Sequence, residues 1–169
     1  MNPSALMPTA SRAATYGLFV FLVTAIALAL TALPAVQAAI AQSLVSAIAF
    51  TATGLIETFG GAIVRDGNVL TDTVTGATVH VTQACDGLGV FAVFAAMIAG
   101  LGRGLKTSLA AIAVLFLAMQ GFNLIRVVAL FHLRSAAQDV YDVSHVFVMP
   151  WATALIGWLI VWRVWARTP

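Results

Sequence analysis

Gln83-Ala84-Cys85-Asp86-Gly87 contains the only cysteine of the chain and sits on a change of pattern. Before it, residues 60–82 are polar, turn-rich and of strand character; after it, at Leu88, an apolar helical run begins at once. A thiol is thereby expected at a helix start and at a boundary between water and an apolar phase. Peptide N–H groups aligned at a helix N-terminus favour an anion there, and the thiolate is the nucleophilic form of cysteine. A lone cysteine taken alone is more often a small buried hydrophobe, so the surrounding chain must decide between the two readings.

Outward from this stretch the chain is apolar. Of its 169 residues 62% are hydrophobic and 8% charged, and the mean hydropathy is +1.02. This excludes an ordinary soluble domain, and several runs are long enough to cross a bilayer. The expected fold class is an all-α polytopic membrane protein: about four transmembrane helices, one amphipathic interfacial helix and a small extracytoplasmic β-hairpin or sheet. The whole chain, 1–169, reads as a single integral membrane domain without internal repeats, low-complexity linkers or an evident cleavable signal peptide. Cys85 has no partner for an intramolecular disulfide, so a free thiol facing an oxidising compartment calls for a chemical reason. Nucleic acid, a metal and an organic cofactor are not expected.

Residues 1–14 are polar or small and read as a loose tail carrying Arg12. Residues 16–33 are almost wholly apolar and match one hydrocarbon thickness of helix, ended by Pro34. Residues 36–59 differ. Val36, Ile40, Leu44, Ile48, Leu55 and Phe59 form an apolar stripe, with Gln42, Ser46, Thr53 and Glu57 elsewhere on the wheel, which predicts an amphipathic helix. In residues 60–82, Asp66-Gly67 is a hairpin signal between short apolar runs, and Thr78-Val79-His80-Val81-Thr82 alternates as a half-buried strand does. A small antiparallel sheet running directly into Cys85 is expected. Apolar segments follow at 88–101, 105–133 and 143–165, the last ending among Trp158, Trp162 and Trp165, which suit a membrane interface.

The positive-inside rule orients these segments. Arg12, the Arg103/Lys106 loop and the Arg163/Arg167 end are expected on the cytoplasmic side. Four spans with both termini inside satisfy all three placements, and the helix at 36–59 then cannot cross. The sheet, Cys85 and the region of Arg126 and His145 are expected at the outer face.

Within the apolar run 105–133, Asn123 and Arg126 are three residues apart and so neighbours on one helix surface. An ionisable group at that depth is costly and usually functional; the alternative is an arginine snorkelling to the headgroups, for which Arg134 is the better candidate. His132 lies six residues beyond Arg126, on a different side of the helix. His145 is expected to begin the last span, level with Cys85. Asp139 and Asp142 read as a solvated loop, and His80 as a surface residue.

Three short motifs in this order, Val79-His80-Val81-Thr82-Gln83-Ala84-Cys85-Asp86-Gly87, Asn123-Leu124-Ile125-Arg126-Val127 and Ser144-His145, resemble the exosortase/archaeosortase family of membrane cysteine transpeptidases over about residues 55–165, most closely its compact type H. Asp86 departs from the Ser or Asn more usual there, and an acid beside a nucleophilic thiol opposes the anion unless it caps the helix. The resemblance implies an enzyme of the bacterial inner membrane with its active site at the extracytoplasmic face. Its substrates would be membrane-anchored proteins whose C-terminal sorting signal is a short motif, a transmembrane helix and a basic cluster. It implies Cys85 as the nucleophile that forms a thioester, Arg126 as the oxyanion partner and His145 as the general acid and base, with Asn123, Asp86 and Gly87 orienting the substrate. A membrane endopeptidase that only hydrolyses, and a non-catalytic subunit whose Arg126 meets a lipid headgroup or partner helix, are the competing readings.

Overall fold

The computed structural model describes residues 10–31, 33–36, 39, 42–101 and 104–166. It consists of helices α1 (Ala10–Thr31), α2 (Pro34–Val36) and α3 (Gln42–Thr58), strands β1 (Ile63–Asp66), β2 (Val69–Asp72) and β3 (Thr78–His80), then α4 (Leu88–Gly100), α5 (Leu105–Ala136), α6 (Gln138–Val143) and α7 (Met149–Ala166). A π turn, Ser144–Val148, joins α6 to α7 without a break. The helix therefore starts at Gln138 rather than at 143, and His145 is the second residue of a π turn inside it instead of heading a new span. Residues 10–14, expected in a loose tail, belong to α1; the rest of that tail, Arg103 and Arg167 lie outside the described residues.

Among the described residues two helical stretches combine the length and the apolarity to cross a bilayer: Leu105–Ala136, with 32 residues, and Gln138–Ala166, with 29. Thr15–Ala27 and Leu88–Gly100 are apolar but shorter. These helices turn large apolar side chains outward, among them Phe21, Leu117, Trp151 and Trp158. A soluble protein buries such residues, and an outward apolar belt of this extent is the mark of a lipid-facing surface.

Helix packing sorts the molecule into two ends. At one end Phe94, Ile98, Leu115, Met119 and Val161 form a core shared by α4, α5 and α7. The Tyr16 hydroxyl of α1 donates to the Met97 carbonyl of α4 at 3.0 Å, and Thr107 and Arg163 line one cavity between α5 and α7. The start of α1, the head of α5 beside Lys106 and the end of α7 beside Arg163 thus share this end. At the other end a second core joins α3, β2, β3, Cys85 and the later half of α5 through Val45, Ala49, Ala52, Ile56, Leu70, Val79, Val127 and Phe131.

The buried stripe of α3 is Val45, Ile48, Ala49, Ala52 and Ile56. Only Ile48 of the expected stripe belongs to it; Phe59 is exposed, and the expected helix start at residues 37–41 lies, apart from Ala39, outside the described residues. Small Ala49 and Ala52 let α3 approach its neighbours closely, which moves the packed face away from the bulkiest residues.

The sheet is antiparallel, in the order β1-β2-β3. Asp66 pairs with Val69, so the two-residue turn is Gly67-Asn68. Gly67, at φ 57°, takes the first central position, where a primed hairpin turn requires positive φ. Asp66 is consequently the last strand residue and not a turn residue. At the far end of β2 the Ser135 hydroxyl of α5, with the N–H groups of Val74 and Thr75, holds the Asp72 carboxyl down at about 2.

Candidate active site

β3 ends at His80, and Val81 still donates to Asn68 before the chain turns. A single 3₁₀ turn, Gln83–Cys85, follows, closed by the Cys85 N–H donating to Thr82 at 2.8 Å. Cys85 is buried, 6% exposed, in the core beneath α3. Gly87, at φ 68°, reverses the backbone and lets α4 begin at Leu88. A side chain there would be strained by φ and would meet the Gln120 amide.

Asp86 is buried, and its Oδ1 accepts the Leu88 N–H at 2.8 Å. It acts as a cap on a free N–H at the start of α4. This is the arrangement in which an acid beside the thiol is tolerated. Burial pushes the Asp86 carboxyl up from the ordinary carboxylate range, and the Leu88 N–H opposes that only in part.

α5 holds this turn from below. The Asn123 amide, itself buried, donates to the Cys85 carbonyl. One turn earlier the Gln120 amide donates to the Asp86 carbonyl at 2.9 Å. Gln120 was not anticipated from sequence; its one signal is a polar letter three residues before Asn123 in an apolar run. Two consecutive carbonyls around the thiol are therefore pinned by amides of one helix, which fixes the backbone that carries Sγ.

Arg126 is half-buried one turn beyond Asn123. Its charge and that of Asp142 both act on His145. His145 stacks on Tyr141, with ring centroids 5.6 Å apart and planes 2° apart. The Arg134 guanidinium lies over the other partner of this stack, 5.0 Å from the Tyr141 ring centroid. Asp142, expected in a loop, is part of a helix and acts on His145. His132 is exposed and packs edge-on against Phe131.

The structure brings Cys85, Asp86, Gly87, Gln120 and Asn123 together directly, and Arg126 and His145 together electrostatically. The described hydrogen bonds do not join the Cys85 thiol to Arg126 or His145. Three buried polar atoms around this place have no hydrogen-bond partner: Gln120 Oε1, Arg126 Nε and His145 Nδ1. A buried unpartnered donor or acceptor costs about 1–3 kcal/mol. A ligand that presents both a carbonyl oxygen and an N–H, as a peptide does, could satisfy them. Among the described residues no group of His, Cys, Asp and Glu could hold a metal ion.

Compared with known families, the chain matches the model described as transmembrane exosortase over residues 6–166. No curated protein and no solved structure matches it.

Proposed function

Because the chain belongs to the transmembrane exosortase family, we propose that it is a protein-sorting cysteine transpeptidase that processes the C-terminal signals of exported membrane-anchored proteins. In this reading the domain crosses the inner membrane of a bacterium four times, through α1, α4, α5 and the continuous α6–α7 helix. The basic end faces the cytoplasm, and the sheet and Cys85 face outward.

The Cys85 thiolate attacks the scissile carbonyl carbon and forms a C–S bond. Arg126 stabilises the charge on the tetrahedral oxygen. The C–N bond then breaks as His145 gives its proton to the leaving amine, which departs with the spanning helix and basic cluster. A thioester remains on Cys85. His145 next takes the proton of an acceptor nucleophile, which attacks the thioester and restores the thiolate. Asn123 and Gln120 keep the Cys85 backbone in place, while Gln120 Oε1 and Arg126 Nε are the groups a substrate peptide would meet.

The observation that most supports this reading is the pair of amides on α5, Gln120 and the buried Asn123, that pins the carbonyls of Asp86 and Cys85, Asn123 lying one helical turn from Arg126. A cysteine that serves only as core filling has no need of two such ties. The test is co-expression with an exported protein carrying a short motif, an apolar helix and a basic cluster at its C-terminus, followed by mass spectrometry of that C-terminus. Wild type should shorten it, and an added mass would report the acceptor. Cys85→Ala and Cys85→Ser should leave it full-length at equal membrane levels. Shortening at the wild-type rate by Cys85→Ala would remove covalent catalysis. Shortening with no added mass favours hydrolysis alone.

A further inference from the structure

β3 is an edge strand. Its pairing with β2 sets Leu70 opposite Val79, with the Asp72 N–H donating to Ala77 and the Val81 N–H donating to Asn68. In an antiparallel ladder the hydrogen-bonded pairs recur at every second residue, so Ala77, Val79 and Val81 turn their backbone groups to β2. The N–H and C=O of Thr78 and His80 therefore point away from the sheet, where no strand lies among the described residues. The side chains of Val79 and Val81 share one core with Val127 and Phe131 of α5. Thr78, His80, Thr82 and Gln83 are exposed along the way to Cys85.

Natural proteins guard open edges with charge, proline or bulges. The opposite edge of this sheet carries Arg65 and Asp66 on β1. The β3 edge carries threonine and histidine and no such guard. It also runs without interruption into the turn that bears the thiol.

We propose that the outer edge of β3 is the docking strand for the substrate: an extended stretch of the exported polypeptide pairs with the backbone of Thr78 and His80 and so delivers its scissile peptide to Cys85. This rests on the sorting activity proposed above. The direction of the added strand follows from connectivity. β3 leads from the sheet into the head of α4, and a substrate whose motif precedes its own spanning helix must run the same way, so the added strand is parallel to β3. Main-chain pairing holds the peptide, and alternate side chains give the selection.

Proline at Thr78 or His80 removes one outward N–H and leaves the β2–β3 ladder intact, as edge strands allow. The probe is the co-expressed exported protein with its motif–helix–basic tail, scored by C-terminal mass. His80→Pro should lower the shortening rate about tenfold or more, the loss expected when backbone pairing is broken beside the reacting bond. Arg65→Pro, which removes an outward N–H from the opposite edge of the sheet, should stay within about threefold of wild type, a difference of the size of small surface effects. In parallel, a photo-crosslinking residue at Thr78 in the Cys85→Ala chain should capture the tail, and one at Val64 on β1 should not; this arm needs no proline and stands if His80→Pro fails to accumulate. Wild-type shortening by His80→Pro, capture from Val64 and not Thr78, or an equal loss in Arg65→Pro each overturn the edge. If wild type shortens no tail and nothing is captured, the sorting activity itself fails, and this inference with it.

Discussion

At the scale of single residues, Asp86 carries a clear pH dependence. Its carboxyl is raised by burial, so the folded chain holds this proton more tightly than the unfolded chain. The contribution to stability is complete below the unfolded value of 3.8 and is lost as pH rises through the higher folded value. Asp86→Asn keeps an oxygen for the Leu88 N–H and removes the buried charge. Melting curves in detergent across pH should show the variant flat in that window, and at neutral pH at least as stable as wild type. A variant that melts lower at every pH would mean that the charge itself is needed as a cap. The histidines make a second case. His145 lies under the charge of Arg126 and stacks on Tyr141, whereas His132 is exposed. His145→Ala should therefore lose about 10²–10⁴-fold in tail shortening, the usual contribution of a general acid–base, and His132→Ala little. The reverse order, measured at matched membrane levels, would sink the role given to His145. From sequence, Cys85, Asn123, Arg126 and His145 were visible because each is a polar or reactive letter in apolar surroundings. Gln120 and Tyr141 were not, since their importance lies in contacts across helices that no local pattern carries.

At the scale of elements, period-2 alternation made β3 legible, and Asp66-Gly67 announced the hairpin. The turn nevertheless falls one residue later, because Gly67 supplies the positive φ at the first central position. The phase of α3 was read from bulky residues, while the packed face is decided by Ala49 and Ala52, where close approach is cheapest. Asp139 and Asp142 suggested a loop, yet they sit on one helix, with the Gln138 amide donating to Asp142 one turn on at 3.1 Å. That helix carries the π turn at Ser144–Val148, and such turns often mark functional sites. α3 supplies the element-scale prediction. Its buried face is used up by α5, the sheet and the Cys85 turn, so it has no stripe left for crossing among other helices. Cysteines at Gln42 and Glu57, both exposed, should each react in a Cys85→Ala background with an impermeant reagent added outside intact cells. Protection of one and not the other would show a crossing.

At the scale of the whole molecule, the two ends differ in chemistry: one carries Lys106 and Arg163, the other the thiol and sheet. The sequence disclosed this polarity through charge placement, which is a long-range property and survives errors at helix boundaries. The number of crossings is harder to read, because α1 and α4 are short in apolar length. α4 has 13 residues, about 20 Å of helix against a hydrocarbon core of about 30 Å. On the proposed topology the head of α4, measured from the basic end, would stop about 10 Å short of the far surface, and the Cys85 thiol would sit in a dimple of the bilayer and not on top of it. Lipid thickness would then act as a throttle on the proposed activity. Reconstituted into phosphatidylcholines of decreasing acyl length, the chain should react faster at Cys85 with a polar thiol reagent as the membrane thins toward the length of its shortest helix. A rate independent of acyl length would put the thiol at the surface. In a living membrane the same geometry would make sorting sensitive to any change in lipid composition that thickens or thins the sheet of lipid around α4.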